Sequence, residues 1–573
     1  MASETTATQL HQLPGTDVEP ALIAEENSLQ WHSAFDVLVV GLGAAGVSAA
    51  IEAADQGASV AFIDRFEGGG TTARSGSVMY AGGGTALQKK LDVDDTPDNM
   101  FNCLRHEVKD AVSEATLRKF CESSPSNYDF VTANGTCYSG KLFPNKTSYP
   151  VHGHSLYYSG NELIYTDDAK PAPRGHLADG IKRFTAFGPA FIAPLIKSAL
   201  KKGVTPIRKA RVTRLIKNNE GTIIGVEAMQ VPGGWIGFKH KMLSTLASYA
   251  QIYFAPAAKS YRKKLFAIER HHAKPIHLRA KGGVILSAGG FILNKEMTER
   301  YLPNFQRALK LGTTGDTGSG IALGVSAGGI AERLGTATAW RFINPPADWP
   351  KAALVNLKGQ RYVNEAMYGA VIGTKMMAEN NGECILIMDK PLFDASLANL
   401  NLKTSRVVTW LQAKGAVRMA KSAETLDALA QRMKIDPATL KATIDDYNAA
   451  ARGEQSDPFG KKPADMKEIK QGPFYAINMS AGKGDITSVI SLGGLKVCEE
   501  TGCVMDQNGT PIKGLFAAGR SAIGVASNAY VSGLSIADGV FSGRRAGANA
   551  ARLAKGQDIF TAAPKTTHQS QPA

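Results

Sequence analysis

The chain of 573 residues has only six cysteines, Cys103, Cys121, Cys137, Cys384, Cys498 and Cys503, and no C-x-x-C. That absence excludes a zinc ribbon, a redox dithiol and a C-x-x-C-H haem site. Scattered cysteines in a chain of this size suit a reducing, cytoplasmic compartment, with a Cys498–Cys503 pairing left open. The histidines, among them His152, His154, His271 and His272, lack metal-ligand spacing, so no metal is expected. The first 34 residues hold no Lys or Arg and no apolar core segment, so they read as a flexible extension and not as a signal peptide. The tail 556–573, rich in Thr, Gln, Ala and Pro, reads as loose too. No internal repeat is visible. A hydrophobic content of 44% with 20% charged residues is ordinary for a soluble globular protein, and the length suggests two to four domains.

Acid is scarce in one stretch. Between Lys239 and Lys281 stand ten Lys or Arg against the single acid Glu269, which accounts for nine of the fourteen net positive charges. These cations bracket an apolar strip at 242–258 that contains Tyr249, Ile252, Tyr253 and Phe254. The strip is short and broken by Pro256, which makes it a poor spanning helix. Rings and aliphatics flanked by cations suit an interfacial segment, so residues 239–281 fit a peripheral membrane contact. A solvated basic insertion and an oligomer contact fit the same residues. Nucleic acid is not expected, because the cations flank an apolar strip and no recognition module accompanies them.

Glycine is plentiful, with 59 residues, and one cluster carries a mechanism. A buried-strand pattern at 35–40 runs into G-L-G-A-A-G at 41–46, an apolar helix over 47–56, a stop at Gly57, and a second strand over 59–63 that ends in Asp64. This is G-x-G-x-x-G in its β–α–β context. Gly41 permits the tight turn, Gly43 lets backbone approach a pyrophosphate, and Gly46 lets helix and strand pack closely. The helix N-terminus, at Ala44 and Ala45, faces the phosphates, and Asp64 can accept from a ribose hydroxyl. The pattern predicts a doubly wound α/β dinucleotide-binding fold.

Further glycine loops follow in a telling order. Gly68 to Gly70, T-T-A-R-S-G at 71–76, A-G-G-G-T at 81–85, G-G-V-I-L-S-A-G-G-F at 282–291, G-D-T-G-S-G at 315–320 and G-L-F-A-A-G-R at 514–520 resemble, in sequence, the loops by which the fumarate reductase/succinate dehydrogenase flavoprotein superfamily wraps FAD. The resemblance covers roughly 35–553. It implies FAD as cofactor, held by Gly41, Gly43, Ala44, Ala45, Gly46, Asp64, Arg65, Gly70, Thr71, Thr72, Ser75, Gly76, Ser77, Val212, Ala288, Gly289, Asp316, Gly519, Arg520, Ser535 and Ile536. It also implies an α/β, Rossmann-like FAD-binding domain over 35–305 and 485–555. An α+β catalytic cap is inserted at 306–484, with helical patterns at 423–433 and 437–452, and the basic segment 231–281 is an excursion from the FAD domain.

Members of that superfamily oxidise or reduce a C–C bond beside an activating carbonyl, so the residues facing the carbonyl oxygen identify the substrate. The dicarboxylate reductases place a histidine before a T-x-G-G turn, and arginines clamp the carboxylates. Here that turn reads V-I-S-L-G-G at 489–494 without a histidine, the V-N-E at 363–365 is followed by A-M-Y-G-A, and Tyr530 stands at the position of an arginine. A dianion loses its bidentate partners in such a site, and fumarate is not expected. The stretch Y-V-S-G-L-S at 530–535, with L-Y-Y-S-G-N at 156–161 and K-P-A-P-R-G-H at 170–176, resembles the 3-ketosteroid Δ4-(5α)-dehydrogenases. That resemblance implies a steroid substrate oxidised across C4–C5, with the C5 hydride passing to flavin N5 and electrons leaving to an external quinone or carrier. Tyr530, aided by backbone N–H groups near Gly533, would hydrogen-bond the 3-keto oxygen. Tyr368 and Ser532 would remove the C4 proton as a hydroxyl relay, and which is the immediate base stays open. Tyr362 and Glu365 read as packing and as a loop brace. The Δ1-dehydrogenases carry a glycine where Leu534 stands and are the weaker match. A reductase acting on an enone, and a membrane-associated flavin electron-transfer subunit, are the remaining alternatives.

Overall fold

The apolar runs that end at Val40 and Asp64 are strands buried on both faces, the pattern of a parallel sheet covered by helices. The computed structural model describes residues 12–560 except 149, 152, 181–187, 345, 401–406 and 483–486. His152, the first 11 residues of the expected extension and 561–573 of the expected tail lie outside the described residues. The central sheet has nine strands: β1 (Leu22–Ile23), β2 (Ser33–Val40), β3 (Val60–Asp64), β4 (Thr205–Arg208), β5 (Ala210–Lys217), β6 (Ile223–Gln230), β7 (Lys274–Leu286), β8 (Cys503–Met505) and β9 (Pro511–Ala517). Their order is β1-β5-β6-β7-β2-β3-β4. Strand β7 pairs in parallel with β2 from Leu278 to Leu286, with an irregularity between Ala280 and Gly283. Its other edge carries antiparallel β6 over Lys274 to Arg279 and then parallel β9 over Val284 to Leu286. The chain thus returns some 200 residues later to complete the sheet it began.

Helix α1 (Ala44–Asp55) joins β2 to β3, and the sheet places it against the last long helix, Leu534–Ala554. The contact runs through glycine. A Cβ on Gly543 would sit 2.2 Å from the Ala45 carbonyl, and one on Gly547 would sit 2.3 Å from that of Ala49. Only glycine allows this approach, and it brings both helix N-termini to the ends of β2 and β9.

Three local differences from the sequence reading have simple causes. Residues 12–32 are packed against the sheet and are no loose extension, because Leu13 and Val18 are buried in the core and β1 pairs in parallel with β5. Residues 423–433 divide into a strand, Lys421–Ala423, and a helix, Leu426–Met433, because the Thr425 side chain accepts from the Ala428 amide and starts the helix there. The basic segment is a helical hairpin, α2 (Gly234–Tyr253) and α3 (Ala255–His272), that turns at Phe254 just ahead of Pro256, and its last residues, from Lys274, already belong to β7. None of the six cysteines is in a disulfide.

Residues between β7 and β8 form smaller sheets. One is antiparallel, with Ala353–Val355, Ile385–Met388, Phe474–Asn478 and Lys421–Ala423 in that order, backed by Leu426–Met433 and Pro437–Ala451. Another joins Leu309–Lys310, Ser488–Ser491 and Ala337–Trp340, against which α4 (Gly369–Glu379) packs.

Candidate active site

A long, partly open cleft runs along the ends of β2, β3 and β9. Gly41 adopts φ +94° there, and a Cβ would strike Ala288 at 2.7 Å. A Cβ on Gly46 would strike the Gly41 carbonyl at 1.9 Å, so Gly46 serves the packing and does not line the cleft. Gly43 would meet only Thr72 Oγ1 at 3.5 Å, which leaves room for a ligand beside the backbone.

The sequence-expected residues Gly41, Gly43, Ala44, Ala45, Asp64, Arg65, Gly70, Thr71, Thr72, Val212, Ala288, Gly289, Asp316, Gly519, Arg520 and Ser535 all line this cleft. Ser75, Gly76, Ser77 and Ile536 do not. Ser75 closes the turn on the Thr72 carbonyl, Ser77 leads into the strand Val78–Tyr80 at φ +57°, and Ile536 lies in the core.

Several expected ligands are committed to the framework. The Asp64 carboxylate accepts from the Leu42 amide at 3.0 Å and the Phe66 amide at 2.8 Å, and burial raises its pKa. It therefore organises the glycine loop. Asp316 accepts from Thr71 Oγ1, the Thr313 amide at 2.8 Å and Arg520 at 2.8 Å. Arg65 forms a bidentate pair with Glu269 of α3. Arg520 Nη1 is buried at the cleft with no hydrogen-bond partner, an unused donor suited to an acceptor on a bound cofactor. Sequence reasoning missed Arg74, Arg211, Ser244, Thr245, Ser248 and Thr313 as lining residues. The three hydroxyls from α2 belong to no motif, and nothing in the linear pattern ties them to the glycine loop.

Beyond the cleft, helix α5 (Leu534–Ala554) starts at Gly533, whose φ of +86° and contact with Tyr80 exclude any side chain. Its capless first turn presents the positive end of the helix. Tyr530 meets Trp340 edge to face at 5.0 Å, Tyr368 meets Phe342 at 5.7 Å, and both phenols pack on one apolar cluster with Ile490 and Leu492. Tyr368 opens α4, and its amide donates to Asn161 Oδ1 at 2.6 Å; Asn161 in turn donates to buried Glu107. Ser532 is buried, and its carbonyl receives the Ser159 hydroxyl at 3.4 Å. Tyr368 and Phe342 also line a second cavity, which is walled by Leu163, Ile164, Met367 and Ile372.

Glu365 is a brace. Its carboxylate takes the Leu354 amide, both arms of Arg361 and Lys461 Nζ, each at 2.8–2.9 Å. Burial pushes its pKa up, but Lys461 and Arg361 outweigh that and hold it low. Among the described residues no group of His, Cys, Asp or Glu could hold a metal ion.

Comparison with known proteins gives a consistent picture. Residues 36–536 match the family model described as FAD binding domain. The chain is 37% identical to a 3-oxo-5-alpha-steroid 4-dehydrogenase of Comamonas testosteroni, over 87% of this chain and 94% of that one. It is 26% identical to a 3-oxosteroid 1-dehydrogenase of Mycolicibacterium smegmatis, over 87% and 93%. Its fold superposes with a TM-score of 0.77, at 29% identity, on the crystal structure of a 3-ketosteroid-delta4-(5alpha)-dehydrogenase from Rhodococcus jostii RHA1 in complex with 4-androstene-3,17-dione, covering 93% of this chain and all of that one.

Proposed function

Because this chain belongs to the FAD binding domain family and is an FAD-dependent oxidoreductase, we propose that it oxidises a 3-ketosteroid and introduces the C4–C5 double bond. The observation that carries this reading is the pair of phenols, Tyr368 and Tyr530, on one apolar cluster beside the start of α5. Trp340, Phe342, Ile490 and Leu492 offer the apolar walls a fused-ring hydrocarbon needs, and no arginine or histidine stands where a dicarboxylate enzyme requires one.

FAD, when bound, supplies the hydride acceptor that oxidation of a CH–CH bond requires. Arg520 Nη1, the first-turn amides of α1 and Ser535 would hold it. In the substrate half, Tyr530 donates to the 3-keto oxygen, helped by the amide groups that open α5 after Gly533. This hydrogen bond stabilises the enolate-like charge and acidifies C4–H. Tyr368 and Ser532 pass the C4 proton outward as a hydroxyl relay. Neither hydroxyl is a base at neutral pH by itself, so proton removal and enolate stabilisation act together. Glu107 and Asn161 position Tyr368 through its backbone amide. Turnover needs an external electron acceptor, a quinone or a carrier. Incubating the purified protein with 5α-, 5β- and Δ4-3-ketosteroids tests the assignment: a saturated 3-ketosteroid should yield the Δ4 product, and a product desaturated only at C1–C2 would overturn it.

The protein acts in the cytoplasm and at the membrane surface, in this reading through helix α2. Among the described residues no helix is long and apolar enough to cross a membrane. Trp235, Phe238, Met242, Leu246 and Tyr249 recur every three or four residues, which places them on one helix face, and all five are exposed, Trp235 by 75%. Lys239, Lys259, Lys263 and Lys264 are exposed and form no ion pair among the described residues, whereas Lys241, Arg279 and Lys281 pair with acids outside the segment. An aromatic stripe bordered by free cations suits an anionic bilayer surface.

A further inference from the structure

A neighbouring face of the same helix looks into the cofactor cleft. Ser244, Thr245 and Ser248 line it together with Gly41, Gly43, Asp64 and Arg74. The Ser244 hydroxyl donates to the Lys241 carbonyl at 2.9 Å and the Ser248 hydroxyl to that of Ser244 at 2.9 Å. Their oxygen lone pairs are left facing the cleft as acceptors. Three latches tie the hairpin to the walls around it. Glu269 of α3 holds Arg65, the residue after β3, at 2.6–3.0 Å and also receives His240 at 3.1 Å. The Arg74 guanidinium, from the turn Thr71–Arg74, lies 3.9 Å over the Tyr249 ring. Gln251 donates to the Lys310 carbonyl at 3.0 Å and is itself held by Arg262.

We propose that the α2–α3 hairpin is a clamp on the bound dinucleotide, with Ser244, Thr245 and Ser248 as polar contacts that accept from its ribose hydroxyls or base amino group. The glycine loop and helix N-termini hold the phosphates from one side, and the hairpin closes the other. Six of the fourteen net positive charges of the chain are thereby attached to an element that retains the cofactor. The inference rests on FAD as ligand and not on the steroid, so it stands or falls separately from the substrate assignment.

The test follows loss of FAD from the holoprotein after dilution, read as the rise of free-flavin fluorescence. Replacing three hydrogen-bonding groups in a Ser244→Ala, Thr245→Val, Ser248→Ala variant should speed release about a hundredfold. Lys264→Gln, on the exposed side of α3, should leave it unchanged. Hydrogen exchange in the wild-type chain supplies a second reading that no folding defect can obscure: α2 amides should exchange more slowly once FAD is added to the apoprotein. A triple variant that releases flavin at the wild-type rate, or α2 exchange indifferent to FAD, overturns the clamp.

Discussion

Arg65 and Glu269, 204 residues apart, meet in a bidentate pair in which Nε lies 3.0 Å from Oε1 and Nη2 lies 2.6 Å from Oε2. The pair joins the residue after β3 to the basic hairpin, and its acid is the only one in that segment.

The pair makes the hairpin pH-sensitive in a defined window. Burial pushes the Glu269 carboxyl up, but Arg65 and His240 outweigh it and hold it at about 2, against about 4.3 for a free glutamate. Because the folded value is the lower one, the stabilisation is complete above the free value and is lost as pH falls through the folded one. Flavin release from the wild type should therefore accelerate as pH drops from about 4.3 to about 2. Glu269→Gln should release flavin on the order of tenfold faster at neutral pH, from losing a charge-assisted bond. Its profile should be flatter than the wild-type one in that window. Parallel profiles for the two proteins would remove Glu269 from the account.

Two glycines in helices should respond in opposite directions. Gly543→Val drives side-chain atoms into the Ala45 carbonyl, so it should lower stability by about 1–3 kcal/mol and reduce flavin content. Gly415, in the helix Val407–Arg418, meets nothing within 4 Å. Gly415→Ala should raise stability by about 0.5–1 kcal/mol. Thermal melts of the two variants check both signs.

Removal of either phenol should separate chemistry from binding of the cofactor. Tyr530→Phe and Tyr368→Phe should each lower kcat by about 10²–10⁴, with flavin content and melting temperature near wild type, since each ring keeps its apolar contacts. Retained turnover in both variants would shift the proton chemistry to other groups.

The stripe on α2 makes a prediction of its own. The protein should sediment with phosphatidylglycerol vesicles at low salt, and less so at 0.5 M salt, where the Debye length is about threefold shorter than at 0.05 M. Binding should fall with neutral residues at Arg262, Lys263 and Lys264, or with Trp235→Ser and Phe238→Ser. Binding unchanged by all of these, or self-association lost in the aromatic variant instead, would make the stripe a contact between copies of the chain.

Much of the cofactor half was legible because its demands are local. Gly41 needs a positive φ and Gly46 must admit a carbonyl at its α-carbon, and only glycine satisfies either, so the sequence displays both. What hid were the partners. Asp64 spends its carboxylate on the Leu42 and Phe66 amides, and Asp316 gathers Thr71, Thr313 and Arg520 from distant segments, arrangements that only tertiary packing sets. Helix α2 hid most completely. Its aromatic stripe faces outward, while Ser244 and Ser248 line the cleft beside the buried Leu243 and Ala247, and Pro256 made the segment read as broken where it stands in the first turn of α3. Leu13 and Val18, with Leu22 and Ile23 after them, were the faint sign that residues 12–32 are anchored.

The central claim is the position of the new double bond, and label tells it directly. A 5α-3-ketosteroid carrying deuterium at C4 and C5 should be turned over by the purified holoprotein to a Δ4 product that has lost the C5 deuterium and one from C4. A product that keeps deuterium at both carbons and loses hydrogen from C1 and C2 would contradict the account.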